Sequence, residues 1–259
     1  MDHHHRPFSL FLFLHLFFKG SLGATITLSN NCDYTIWPGV LSNAGSPDLG
    51  STGFELSSGR SRSFQATPGW SGRLWARTRC GPDPSTGKWA CSTGDCGSGQ
   101  PECTGSGATP PATLAEITLG DEDYYDVSLV DGFNIPMVME AEGGSGSCQP
   151  TGCASDLNEQ CPDELRGKKG EGCKSACEAF GTAEYCCSGA NGSPNTCKPS
   201  SYSQMFKLAC PHAYSYAYDD ATSTFTCVDA DYTITFCPSL TRLVQYLVLL
   251  QYYYIFDLS

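Results

Sequence analysis

The chain is poor in basic residues. Lys and Arg together number 15, against 27 Asp and Glu, and the formal net charge at pH 7 is −12. Proteins that bind nucleic acid neutralise phosphates with a surface rich in Lys and Arg. The charge balance therefore argues against nucleic acid as a partner. It also gives no support to a direct attraction to anionic membranes.

Histidine is almost confined to the N-terminus. Four of the five histidines precede residue 23, and only His212 follows it. A Ser-His-Asp triad in the body of the protein could use that residue alone, and we interpret His212 as a surface histidine. A zinc site would need cysteines that an oxidising compartment converts to disulfides. We expect neither a metal nor an organic cofactor.

Residues 1–23 have the pattern of a secretory signal peptide. Arg6 supplies positive charge, residues 8–18 form an apolar run, and small residues precede a cleavage point before Ala24. The run is too short for a comfortable membrane span. We predict a secreted, extracellular protein.

Long helical periodicity is absent from the body of the chain, which instead has short alternating runs separated by Gly, Ser and Pro. The predicted strands cover residues 25–28, 35–37, 61–64, 72–78, 113–119, 124–130, 222–227 and 232–236. Short strands at this spacing indicate a mainly β protein, built as a sandwich or a barrel.

The 16 cysteines are even in number and do not suit a reducing cytosol. Nine of them fall within residues 148–210, a stretch with few aliphatic residues. Such a segment must be held together by disulfides rather than by burial alone. Within it, residues 174–180 and 202–208 are predicted to form short helices.

The tail at residues 239–259 is hydrophobic and has no assigned role. Its apolar stretch, residues 243–256, is short for a membrane span and lacks the polar spacer of a lipid-anchor signal. A sorting propeptide and an ill-defined reading-frame end are the two interpretations left open.

Several motifs resemble thaumatin-like proteins, the plant pathogenesis-related group five that includes thaumatin, osmotin and zeamatin. The segment Gly-Lys-Trp-Ala-Cys-Ser-Thr-Gly-Asp-Cys at residues 87–96, followed by Cys103, is similar to the family signature. Trp89 departs from it, since Gly or Phe is usual there. Further similar blocks lie at residues 31–38, 110–116, 125–134, 214–220 and 222–227. The resemblance covers residues 24–238 and includes all 16 cysteines in order.

The resemblance implies a β-sandwich core, a disulfide-rich lobe and a small looped lobe. The core would comprise residues 24–79, 112–150 and 211–238, the small looped lobe residues 80–111, and the disulfide-rich lobe residues 151–210. It also implies eight disulfides: Cys32–Cys237, Cys80–Cys91, Cys96–Cys103, Cys148–Cys227, Cys153–Cys210, Cys161–Cys173, Cys177–Cys186 and Cys187–Cys197. Adjacent cysteines bond to each other only with severe strain, so separate partners for Cys186 and Cys187 are physically reasonable.

The resemblance further implies an acidic cleft made by one Arg, one Glu and three Asp. The Glu corresponds to Glu116, and two of the Asp to Asp126 and Asp131. The third corresponds to Asp219, with Asp220 as its rival. The Arg corresponds to Arg73 or Arg77, and we prefer Arg73.

Alternation along the strands gives an independent view of these positions. Tyr125, Val127 and Leu129 share one face, which we expect to be core, so that Asp126 points the other way. Asp131 is an odd number of residues from Asp126, and both can line one cleft only if the chain turns at Asp131-Gly132. Glu116 is expected to point away from Ala115, Ile117 and Leu119, its neighbours on the buried face.

The resemblance implies a plant defence protein, located in the apoplast or diverted to the vacuole, that binds β-1,3-glucan of fungal walls and acts against fungi. We expect it to be a monomer. One alternative is a weak endo-β-1,3-glucanase, with Glu116 as general acid and Asp131 as nucleophile or base. Another is a non-catalytic inhibitor of secreted hydrolases or a membrane-permeabilising protein. Asn191 begins a glycosylation sequon, but Pro194 follows the sequon and can suppress its use.

Overall fold

The computed structural model describes residues 23–167 and 170–239. The predicted signal peptide, apart from Gly23, and the hydrophobic stretch of the tail lie outside the described residues. Among the helices within these ranges, none is long and apolar enough to cross a membrane.

Twelve strands account for most of the regular structure. They are β1 Ala24–Asn30, β2 Ile36–Ser42, β3 Ser61–Ala66, β4 Ser71–Thr78, β5 Gly81–Pro82, β6 Trp89–Ala90, β7 Leu114–Thr118, β8 Asp123–Ser128, β9 Met137–Glu142, β10 Thr151–Cys153, β11 Phe225–Cys227 and β12 Asp231–Phe236. The helices are short: α1 Ala176–Phe180, α2 Ala183–Cys186, α3 Ser201–Ala209 and α4 Asp220–Ser223, with 3-10 turns at Asp163–Leu165 and Gly189–Asn191.

Ten of the strands in the described residues form a sandwich of two five-stranded sheets, and β5 and β6 form a separate two-stranded sheet, which confirms the mainly β prediction. The first sheet has the order β10-β9-β12-β1-β3 and the second the order β11-β8-β7-β4-β2. The N-terminal strand β1 pairs in parallel with the last strand, β12, so the two ends of the domain are joined within one sheet. Strand β10 lies at the start of the segment assigned to the disulfide-rich lobe and extends the first sheet to Cys153.

Alternation along the strands places the core between the sheets. Ile26 and Leu28 of β1 and Ile234 of β12 have no exposed surface. Thr27 and Thr233, which are paired between these two strands, lie on the outer face of the first sheet. In the second sheet Tyr125, Val127 and Leu129 are buried in the same core, as predicted. This alternation leaves the outer face of the second sheet free to carry polar groups.

All eight disulfides implied by the family resemblance are present, and the described part of the chain has no free cysteine. Cys186 pairs with Cys177, and Cys187 pairs with Cys197. The adjacent cysteines therefore have separate partners. Of two further bridges, Cys148–Cys227 joins the start of the 148–210 segment to β11, and Cys153–Cys210 joins its end to β10 of the first sheet.

The small looped lobe covers one end of the outer face of the second sheet. Trp75 of β4 is fully buried in a second apolar cluster with Cys96, Cys103, Ala112 and Leu114. Its indole N–H donates to the carbonyl of Gly94 at 2.8 Å. The other end of β4, which carries Arg73, is not covered by this cluster.

The predicted strand at residues 222–227 is wrong in its first half. Residues 220–223 form helix α4, and the strand begins only at Phe225. Asp219 explains the difference, because its carbonyl accepts from the N–H of Thr222 and its carboxylate from the Thr222 hydroxyl. The Asp219 side chain does not cap the backbone N–H groups of α4, but these local hydrogen bonds offer residues 219–223 an alternative to the strand ladder.

Candidate functional site

A row of ionisable side chains crosses three neighbouring strands on the outer face of the second sheet. Arg73 of β4 lies directly opposite Glu116 of β7, and Glu116 lies directly opposite Asp126 of β8. Side chains at paired positions of adjacent strands project to the same face a few ångströms apart. Arg73 Nε is 3.8 Å from Glu116 Oε1.

Asp131 joins this row because the chain turns immediately after it. The N–H of Gly132 donates to the carbonyl of Leu129 at 2.9 Å, and Gly132 has a φ of +84°. A Cβ at Gly132 would lie 2.7 Å from the carbonyl oxygen of Cys173, so both the backbone angle and the space require glycine. Asp131 acts electrostatically on Glu116, as expected for carboxyl groups that share one site. We call Arg73, Glu116, Asp126 and Asp131 the acidic site.

Burial dominates the electrostatics of the three carboxyl groups. It raises the pKa of Glu116, against the lowering effect of Arg73, and Asp131 raises it further. Burial also raises the pKa of Asp131, again opposed by Arg73. The pKa of Asp126 is raised to about 8 by burial, then by Glu116 and Asp220. The site therefore holds protons at a pH where exposed carboxyl groups are ionised.

Two polar atoms of the row are buried without a hydrogen-bond partner among the described residues: Arg73 Nε and Asp126 Oδ2. Such atoms are uncommon in folded proteins, because an unpaired buried polar group is costly. One is a donor and the other can accept. A ligand hydroxyl, which both donates and accepts, has the chemistry to satisfy them.

Arg77, the alternative to Arg73, has a different environment. It is fully buried beneath the small looped lobe. Its guanidinium donates to the carbonyls of Trp37 at 2.9 Å, Pro38 at 3.2 Å and Pro101, and its carbon lies 5.3 Å from the ring of Trp89. The contacts with Pro101 and Trp89 hold the lobe to the sheet, those with Trp37 and Pro38 join β4 to β2, and none of the four reaches the acidic site.

The two candidates for the third Asp are also placed differently. Asp219 forms an ion pair with Lys207, with Oδ2 3.0 Å from Nζ, and accepts from both the N–H and the hydroxyl of Ser215 at 2.9 Å. Asp220 accepts from the hydroxyl of Tyr214 at 2.9 Å and raises the pKa of Asp126. The structure thus brings Arg73, Glu116, Asp126 and Asp131 together, with Asp220 as their electrostatic neighbour and Asp219 engaged elsewhere.

Sequence reasoning missed Glu178, a residue of the disulfide-rich lobe that acts electrostatically on the same site. Asp131 contributes to raising the pKa of Glu178. The only sequence signal at this position is the Ser-x-x-Glu pattern of Ser175 and Glu178, which indicates a helix start and not a binding residue. Its location became apparent only from the packing of the lobe.

The acidic site does not have the ligand arrangement of a metal centre. Across residues 23–167 and 170–239, no group of three or more His, Cys, Asp or Glu side chains is placed to hold a metal ion. The arrangement can do two kinds of chemistry with a neutral ligand. It can accept and donate hydrogen bonds, and its protonated carboxyl groups can transfer a proton.

The fold is shared with a solved carbohydrate enzyme of distant sequence. The chain matches a laminaripentaose-producing β-1,3-glucanase in complex with laminaritetraose, with a TM-score of 0.52 and 14% sequence identity, over 83% of this chain and 98% of that one. At this identity the likeness shows the fold alone.

Plant sequences give closer matches. The chain is 64% identical to "Thaumatin-like protein 1" of Arabidopsis thaliana, over 90% of this chain and 93% of that protein. It is 59% identical to "Pathogenesis-related thaumatin-like protein 3.5" of Cryptomeria japonica and 51% identical to "Glucan endo-1,3-beta-glucosidase" of Prunus avium, each over 86% of this chain and 94% of the relative. A scan against protein-family models matches residues 30–238 to the thaumatin family. This chain belongs to the thaumatin family.

Proposed function

We propose that this protein is a secreted plant defence protein that binds β-1,3-glucan of fungal walls through the acidic site and acts against fungi. The observation that carries the proposal is the row of Arg73, Glu116 and Asp126, with unpartnered buried atoms on Arg73 and Asp126. Carboxylates accept hydrogen bonds from sugar hydroxyls, and a guanidinium donates to sugar oxygens. A neutral polysaccharide meets these groups without the repulsion that an anionic one would meet.

Two relatives support the substrate class and the biological setting. The protein of Prunus avium at 51% identity is named as a glucan endo-1,3-beta-glucosidase, and the one of Cryptomeria japonica at 59% identity as a pathogenesis-related protein. Membership of the thaumatin family, together with the 1,3-β-glucan in the name of the Prunus avium relative, makes fungal β-1,3-glucan the first ligand to test.

The disulfides support secretion. Eight disulfides in one chain are stable in an oxidising compartment and unusual in the cytosol. We therefore place the protein in the apoplast, with the vacuole as the alternative, and expect it to act as a monomer. Its acidity makes direct attraction to anionic membranes a weaker explanation of antifungal action.

The test is binding of the oxidised secreted form, beginning at Ala24, to insoluble β-1,3-glucan. We expect Glu116→Gln and Asp131→Asn each to weaken binding about tenfold, since each replaces a carboxyl oxygen that can accept a hydrogen bond from a sugar hydroxyl with an amide nitrogen that cannot. Asp48→Asn, a change at an exposed position that is not part of the acidic site, should bind like the wild type. Absence of binding by the wild type would reject the proposal, and equal binding by all variants, with equal release of reducing ends, would reject the site.

A second candidate is weak cleavage of the same glucan, favoured by the raised pKa of Glu116. A carboxyl group that stays protonated can donate its proton to the glycosidic oxygen, while Asp131 attacks the sugar or activates water. Reducing ends released during the binding assay separate the two functions. Release that disappears in both variants while binding persists identifies an enzyme, and binding without release identifies a glucan-binding protein.

A further inference from the structure

A fourth carboxyl group, that of Glu178, lies in the disulfide-rich lobe, close in sequence to a segment that pairs with the chain beside Asp131. Glu178 lies in the first turn of α1, where its N–H donates to the hydroxyl of Ser175 at 3.2 Å. Disulfides at Cys173 and at Cys177 fix the backbone just before this turn and within it. The position of Glu178 is therefore set by the covalent framework of the lobe.

The start of α1 is held directly against the segment that carries Asp131. Phe133 and Cys173 exchange two backbone hydrogen bonds of 2.7 Å in an antiparallel bridge. A Cβ at Gly132 would lie 3.2 Å from the Cα of Lys174, so the two segments are in contact one residue closer to the site. Because the bridge is antiparallel, continuing its register places Ser175 beside Asp131.

The side chain of Glu178 has an atom available for a ligand. Glu178 is partly buried, and its Oε2 is buried with no hydrogen-bond partner among the described residues. Burial raises the pKa of Glu178 to about 7, with Lys174 lowering it and Asp131 raising it. Asp131 therefore acts electrostatically on Glu178 across the boundary between lobe and sandwich.

We propose that Glu178 is a further sugar-contacting residue, which holds from the lobe side a glucan hydroxyl that Asp131 approaches from the sandwich side. This inference rests on the proposed glucan binding. A protonated carboxyl group donates a hydrogen bond and an ionised one accepts, so the pair matches a hydroxyl that does both. The same pair repels acidic sugars, which makes Glu178 a determinant of specificity for neutral polysaccharide.

The experiment compares Glu178→Ala and Glu178→Gln with the wild type on insoluble β-1,3-glucan at pH 5 and pH 8. We expect Glu178→Ala to weaken binding about tenfold at pH 5, the loss of one well-placed hydrogen bond. The affinity of Glu178→Gln should stay within about threefold of the wild type at pH 5, because its amide still donates a hydrogen bond.

The pH dependence gives a second comparison. Binding by the wild type should weaken more between pH 5 and pH 8 than binding by Glu178→Gln, because the carboxyl group can ionise beside Asp131 and Lys174 and the amide cannot. Glu159→Ala, an exposed acid of the same lobe, is the matched control.

The outcomes separate this inference from the glucan proposal. If the wild type binds and Glu116→Gln weakens binding, but Glu178→Ala binds like the wild type, the role of Glu178 is rejected and glucan binding stands. If the wild type does not bind, both are rejected. If Ala and Gln at position 178 lose binding equally and both lower the Tm, Glu178 serves the packing of α1, and the inference is overturned.

Discussion

Arg73 and Arg77 lie four residues apart on one face of β4, yet their surroundings differ. Arg77 lies under the small looped lobe with its donors committed to backbone carbonyls. Arg73 lies beyond that cover, 38% exposed in its side chain and 3.8 Å from Glu116. The same residue type on the same face therefore holds two parts of the protein together in one case and is open to a ligand in the other.

The carboxyl group of Asp126 provides the first prediction. Its ordinary pKa is 3.8 and its pKa in the folded protein is about 8, so between these values the folded state binds more protons than the unfolded state. Stability therefore falls as pH rises through this window. We expect the Tm of the wild type to fall by a few degrees between pH 5 and pH 8, as about 1 kcal/mol shifts the Tm by about 2–4 °C at this chain length.

The substitution Asp126→Asn tests this prediction by thermal unfolding. The variant should lose part of the pH dependence and be more stable than the wild type at pH 8, because its amide has no proton to lose. Glu116, Asp131 and Glu178, whose pKa values are also raised, should maintain the remaining slope. A slope identical to that of the wild type and of Asp48→Asn would contradict the prediction.

At the scale of elements, the acidic site depends on where β8 ends. Asp126 reaches the site by strand alternation, whereas Asp131 reaches it through the turn at Gly132. The turn also packs against the carbonyl of Cys173 and the ring of Pro111. One turn therefore sets both the position of a carboxyl group and the contact between sandwich and lobe.

Gly132→Ala is expected to damage this turn. Its Cβ would lie 2.7 Å from a backbone oxygen and 2.9 Å from Pro111, in addition to the cost of a φ of +84°. We expect a loss of stability on the order of 2–3 kcal/mol and weaker glucan binding. Gly50→Ala has a similar φ of +79° with no atom within 4 Å, so it carries the backbone cost alone. Denaturant unfolding that gave equal losses for both variants would show that the close contact is unimportant.

At the scale of the whole molecule, the disulfides differ in the length of chain they close. Cys32–Cys237 has a sequence separation of 205 residues and joins the ends of the domain, while Cys187–Cys197 has a separation of 10. In the chain-entropy model, a disulfide stabilises by restricting the unfolded state, and more so for longer loops. Cys32–Cys237 should therefore contribute more to the free energy of unfolding than Cys187–Cys197.

Paired Cys→Ala substitutions measure this difference. Removing Cys32–Cys237 should cost roughly 5 kcal/mol and removing Cys187–Cys197 roughly 3 kcal/mol, from the loop lengths alone. Unfolding in guanidinium with the remaining disulfides intact gives both values. A larger loss for the short loop would mean that packing within the disulfide-rich lobe, and not loop closure, determines its contribution.

The sequence by itself determined the elements that depend on local pattern. The alternation of β7 and β8 predicted which of their residues are core, and the order of the cysteines, through the family resemblance, predicted all eight pairings. The strand prediction failed at residues 220–223, where local hydrogen bonds between Asp219 and Thr222 compete with strand pairing and the chain forms helix α4. Strand alternation and cysteine order are properties of the chain, so they can be read before folding is known.

Only the tertiary structure decided which polar residues meet. Alternation left Arg73 and Arg77 equivalent, and the small looped lobe, which covers one of them, distinguishes them. Asp219 and Asp220 are adjacent in sequence, but one faces Lys207 and the other acts on Asp126. Glu178 comes near Asp131 because a backbone bridge holds the lobe to the sandwich. Burial and electrostatic coupling depend on segments distant in sequence, and for that reason no local pattern predicts them.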